Sequence, residues 1–168
     1  MTEVDNAYGG DATIPIPSAT KTAAGNGTAV ADVAVARRLS KDQKDTLIVA
    51  LRQYTGQQVR IVCVPNDTEG KRFAQDFVAV FRSAGWDVGG GSGIHQAVIK
   101  PDPVGIEVTL NTGEVKSGQI MEGVGPLMDA LMDIGLLQKK NVVLSPHTPA
   151  DVIEFRVGLD PDHAPITK

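Results

Sequence analysis

Apolar positions along this chain recur in two rhythms, one helical and one extended, and between residues 39 and 88 the two alternate without a gap. Leu47, Ile48, Leu51 and Tyr54 recur at helical spacing after Ser40. Ser40 is a good N-cap, and Gln43 three residues later completes a capping box. Gly56 follows as the C′ residue that stops the helix. Residues 58–64 then read as a strand, and Ile61-Val62-Cys63-Val64 is apolar throughout, as in a parallel strand covered on both faces. Pro65-Asn66-Asp67 ends it. A second helix is predicted from near Thr68, with Phe73, Phe77 and Phe81 at i, i+4 and i+8 beside Ala74, Val78, Val80 and Ala84. Each buried Phe should contribute about 1.5–3 kcal/mol by area transfer. Gly85 stops this helix, and Trp86-Asp87-Val88 is expected to open a second strand.

Beyond Val88 the rhythm weakens. Residues 89–93 form a glycine turn, and Ala97-Val98-Ile99 is expected to be a short strand broken by Pro101 and Pro103. Residues 105–110 alternate as a strand should, and residues 111–125 read as a long polar loop. Pro126 is placed to be the first residue of a helix whose apolar side is Leu127, Met128, Leu131, Met132 and Ile134, with Gly135 as its stop. Residues 142–144 and 152–157 are two further strands. The expected fold is α/β: three-layer, with a mainly parallel sheet of about five strands, the last of them antiparallel at or near an edge. Residues 1–37, rich in Gly, Ala, Thr and Pro, read as a flexible N-terminal arm; residues 38–159 form the domain and residues 160–168 a polar tail.

Composition narrows the function classes. The chain has 168 residues, 42% of them hydrophobic and only 4% aromatic, so the core must be built mainly from aliphatic side chains. Its net charge of −4 argues against a nucleic-acid binder, which needs a basic face. The single cysteine, Cys63, excludes an intramolecular disulfide and a zinc ribbon. Residues 1–8 are polar, without the apolar region of a secretory signal. No apolar stretch approaches the roughly 18 residues that span a bilayer. A soluble protein in the cytoplasm is expected.

Arg38-Leu39-Ser40, Gln43, Leu51, Val59-Arg60-Ile61, Phe73-Ala74, Phe81, Ala84-Gly85-Trp86 and Val88 together resemble a small flavodoxin-like or Rossmann-like α/β domain of uncharacterised bacterial proteins. Ala130-Leu131, Gly135 and the run from Val152 through Gly158 continue the likeness in order, so that it covers residues 38–158. The shared residues are structural, and the resemblance implies a fold without an activity or a cofactor. In that family the domain often follows transmembrane helices. This chain departs from the pattern by lacking such a segment before Arg38 and by its elaborated loop at residues 111–125.

Open α/β sheets bind ligands at the carboxyl ends of their strands. The first such loop holds Asn66, Asp67, Thr68 and Glu69 at a helix N-terminus, where an anion could bind but where the two carboxylates also serve as caps. Gly90, Gly91 and Ser92 invite a phosphate-loop reading, yet the Gly-Lys-Ser/Thr of a Walker loop is absent. No cofactor is implied. Of the three histidines, His147 lies just past a strand end and is the best placed for a ligand site, His95 has no ligand partner at metal spacing, and His163 belongs to an acidic tail. No metal site and no catalytic residue is assigned. Cys63, in an apolar strand, reads as an inert buried thiol. The favoured function is a non-catalytic binding or interaction module contacting a protein partner or a small anionic ligand. Two alternatives stay open. One is an enzyme acting on an anionic or nucleotide-like substrate at the strand ends; the other is a component of a homo-oligomeric assembly latched by the arm.

Overall fold

The computed structural model describes residues 35–140 and 142–162. Of the arm read as residues 1–37, proposed as a latch, residues 1–34 lie outside them, as does His163. Along the described chain come α1 (Lys41–Leu51), β1 (Gln58–Cys63), α2 (Thr68–Ser83), β2 (Ile94–Gln96), β3 (Ile106–Asn111), α3 (Thr112–Lys116), α4 (Val124–Asp133), β4 (Val142–Ser145) and β5 (Val152–Val157). The fold is α/β, with one five-stranded, mostly parallel sheet in the order β2-β1-β5-β3-β4. β1 pairs in parallel with both β2 and β5, β3 pairs in parallel with β4, and β3–β5 is the antiparallel pair.

Local chemistry accounts for the helices. Ser40 Oγ accepts from the Gln43 N–H and Gln43 Oε1 from the Ser40 N–H, closing the expected capping box. α1 ends earlier than expected, at Leu51, and one 3₁₀ turn (Arg52–Tyr54) carries the chain on to Gly56. α2 begins on the Asp67 N-cap and ends in a Schellman arrangement, with the Trp86 N–H on Phe81 O and the Gly85 N–H on Arg82 O. Gly85 sits at φ +81°, and a Cβ there would lie 2.8 Å from Thr55 Cγ2, so both conformation and space call for glycine. α4 starts at Val124, which makes Pro126 its third residue rather than its first; the N–H that proline lacks would have no intrahelical partner in that turn.

Three expectations about the sheet are corrected. Residues 86–88 form no strand of their own. Asp87 bridges Gln58, and its side chain then accepts from the Gly89 N–H, turning the chain away. The second strand is Ile94–Gln96 rather than residues 97–99, because the turn at 89–93 returns the chain level with the carboxyl end of β1. β5 is not at an edge but at the centre, between β1 and β3, where Ile153, Phe155 and Val157 are wholly buried. The stretch read as a loop also begins with the short helix α3.

Alternation along the strands divides the sheet into two unlike faces. Val59, Ile61 and Cys63, Ile106, Val108 and Leu110, and Ile153, Phe155 and Val157 share one core with the buried sides of α1, α2 and α4, and Val115 of α3 packs against it. Aromatic rings concentrate here: Phe77 lies 4.6 Å from Phe155 and 5.1 Å from Phe73 between centroids, and Phe81 stacks on Trp86 at 5.2 Å. The opposite face carries Arg60 and Val62 of β1, Glu154 and Arg156 of β5, and Glu107 and Thr109 of β3. The helix layer expected there is absent among the described residues. Irregular chain at residues 97–100 and 145–149 borders this face instead.

Candidate functional site

The residues singled out from the sequence at the first strand-to-helix loop are occupied by the fold. Asp67 Oδ1 caps α2 by accepting from the Gly70 N–H at 2.9 Å. Gly70 is required there, since a Cβ would lie 2.3 Å from Asp67 Oδ2. Asn66 holds the turn before the cap at φ +63°, a conformation Asn adopts more readily than most residues. Glu69 receives the Arg37 side chain, with Arg37 Nε donating at 2.9 Å, while the same guanidinium lies over the Phe73 ring and reaches Gly158 O. Thr68 is simply the first residue of α2. Gly90, Gly91 and Ser92 are exposed; Gly91 O accepts from Arg82, and Ser92 Oγ accepts from the Ile94 N–H. Of the eight residues, only His147 reaches the cavity described next.

That cavity, about 560 Å³, lies on the helix-free face of the sheet. Its floor is Arg60, Val62, Glu154 and Arg156; residues 97–100 form one wall, and residues 143–145 with His147 form the other. The register explains the gathering. Arg60 stands opposite Glu154 and Val62 opposite Arg156 across the β1–β5 pair, while Glu107 and Thr109 face Arg156 and Glu154 from β3. A neighbouring depression of about 200 Å³, lined by Asp87, Gly89, His95, Pro149 and Val152 among others, shares Arg60.

The charges here are unevenly satisfied. Arg156 donates from Nε to Glu154 Oε1 at 2.8 Å and lies 3.8 Å from Glu107 Oε2. Arg60 has no carboxylate within ion-pair distance, and its Nε is buried without a hydrogen-bond partner among the described residues. The hydroxyls of Thr109 and Thr148 are likewise buried and unpartnered. Lys100 stands exposed on the rim, beside the cis Lys100–Pro101 peptide, and forms no ion pair among the described residues. The lining thus sets three cations, Arg60, Lys100 and Arg156, against one carboxylate, Glu154. In a molecule of net charge −4, this is a local inversion of sign.

Ser145 and His147 both line the cavity, but their link is the His147 backbone N–H donating to Ser145 Oγ at 3.2 Å, which leaves the imidazole unengaged with the hydroxyl. A nucleophile–base pair needs that side-chain bond. Cys63 points to the helix-covered core, where burial, with a contribution from Asp67, pushes its thiol pKa up. No cluster of three or more His, Cys, Asp or Glu suited to a metal ion occurs among the described residues, and no helix among them is long and apolar enough to cross a membrane. A further depression of about 510 Å³, lined by residues 53–58, Met121, Glu122, Gly123 and Asp151, contains carboxylates and amides but no cation.

Sequence reading passed over Arg60, Lys100, Glu154 and Arg156. The signal was present in the alternation Val59-Arg60-Ile61 and Ile153-Glu154-Phe155-Arg156-Val157, which puts one charge in β1 and two in β5 on the face opposite the apolar positions. The apolar run that ends β1 masked it. No family model, curated protein or solved structure matches this chain.

Proposed function

We propose that this domain is a non-catalytic binding module that receives a small anion on the helix-free face of its sheet. The observation that carries the reading is Arg60: a guanidinium whose Nε is buried, unpartnered and set in the floor of a cavity of ligand size. The Nε–H so placed loses hydration that no acceptor among the described residues replaces, and a carboxylate or phosphate oxygen would restore a partner. Lys100 on the rim adds a second cation. Arg156, already neutralised by Glu154, holds the floor in shape more than it offers charge. The likeness of residues 38–158 to a small α/β domain of bacterial proteins suits such a scaffold role, because the residues it rests on are structural. A cytoplasmic setting suits the unpaired thiol of Cys63. The assembly reading rests on the arm, residues 1–37, of which residues 1–34 lie outside the described structure.

The test is thermal unfolding of the full chain in rising concentrations of inorganic phosphate, with chloride at equal ionic strength as control. A ligand at a hundred times its dissociation constant adds about 2.7 kcal/mol. The wild type should gain stability saturably with phosphate, and Arg60→Met should gain none. An identical response from both proteins would refute the site.

A further inference from the structure

We infer that the ligand of this cavity is amphiphilic: an anionic head carried on an aliphatic body. The inference rests on the anion reading above and adds the chemistry of the walls. Beside the charged floor the lining is aliphatic, with Val62 in the floor itself and Ala97, Val98, Ile99 and Val143 in the walls. Val98 is 72% exposed, one of a short set of large apolar side chains left open to solvent among the described residues, and Val143 is half-buried. Both stand on this one rim, on opposite walls, since Val98 follows β2 and Val143 lies in β4 opposite Thr109, on the helix-free face. Apolar side chains in that position gain most from a ligand that passes between them and removes both from water. The His147 imidazole is the one aromatic ring of the lining, and no Phe, Tyr or Trp joins it, so the walls offer a flat ring little beside aliphatic contact. A flexible hydrocarbon chain needs only aliphatic contact. The head would meet Arg60 and Lys100, and the body would lie across Val62 toward Val98 and Val143.

Isothermal titration of the full chain with acetate, butanoate, hexanoate and octanoate, beside inorganic phosphate and the matching alkyl phosphates, tests this. Affinity should rise about fourfold for each methylene that reaches the walls. Both head groups should show the same slope, and whichever binds more tightly at equal chain length identifies the head. Val98→Asp combined with Val143→Ser should flatten the series, whereas Val49→Ser, an exposed apolar residue of α1, should leave the slope as in the wild type. Phosphate binding that depends on Arg60, with a flat chain-length series, overturns the amphiphile and leaves the anion site standing. A graded series indifferent to Arg60→Met overturns the anionic head and with it both readings. Absence of heat from every probe, in protein that unfolds cooperatively, also overturns both.

Discussion

The two faces of the sheet treat charge in opposite ways. On the helix side, Asp76 of α2 is 4% exposed and fully met: it accepts from Arg38 Nε at 2.7 Å, Arg38 Nη2 at 3.0 Å, the Leu39 N–H at 3.1 Å and Lys44 Nζ at 2.8 Å. These bonds tie the chain entering α1 to the middle of α2. On the helix-free side, Arg60 keeps a buried Nε with no partner. Burial costs a charged group dearly unless it is paired and hydrogen-bonded, so a saturated charge reads as architecture and an unsaturated one as a place for something else to bind. Burial pushes the Asp76 carboxyl up, yet the Arg38 and Lys44 donors and the Leu39 N–H outweigh it and hold the pKa at about 2.

The comparison breaks most visibly at Phe77. Its side chain is wholly buried among Phe73, Phe81 and Phe155. Phe77→Ala should cost about 3–5 kcal/mol in urea unfolding, from lost transfer energy and the cavity left behind. A cost below about 1 kcal/mol would mean that this face is not the one that holds the fold.

Asp76 comes next. Its pKa falls from 3.8 to about 2 on folding, so the ionised form stabilises the native state by on the order of 2 kcal/mol. The group is depressed, so that stability is fully present above the unfolded value of 3.8 and is lost as pH falls through about 2. Asp76→Asn should therefore be destabilised relative to wild type at neutral pH, and the gap should close over that acid window. A gap that persists unchanged at the acid end would assign the cost to geometry instead of charge.

The smallest effect has the opposite sign. Thr109 is wholly buried beneath the helix-free face, opposite Glu154, with its hydroxyl unpartnered. Thr109→Val removes an unmet polar atom at nearly constant shape and should stabilise by about 1 kcal/mol. Destabilisation on that scale in chemical denaturation would show that the hydroxyl has a partner and that this face is built for stability like the other.

Much of the fold was legible from short-range signals. The Ser40–Gln43 box, the Phe73–Phe77–Phe81 stripe and the Gly85 stop each act through contacts a few residues away, which the sequence displays directly. Long-range pairing was less legible. β5 was read as an edge strand because its connection to β4 is short; it inserts between β1 and β3 because Phe155 completes the ring cluster with Phe77 and Phe81. The candidate site was least legible. Asp67 and Glu69 looked chemical because they stand at a helix start, and capping and the Arg37 pair account for them. Arg60, Lys100, Glu154 and Arg156 are scattered over nearly a hundred residues, and only strand register brings them together.

By itself, the sequence determined where α1, α2 and α4 lie, that β1, β3, β4 and β5 are strands, and that Gly85 and Gly135 follow helix ends, because caps, glycine conformations and hydrophobic periodicity are local properties of the chain. Tertiary structure alone decided that the four α-helices of the described residues share one face, that β5 is central, and that a face carrying Arg60, Glu154 and Arg156 is left without a helix to cover it among those residues. The physical reason is that a charge on a strand is indifferent to its sequence neighbours two positions away. Its meaning comes from what lies across the sheet and above it.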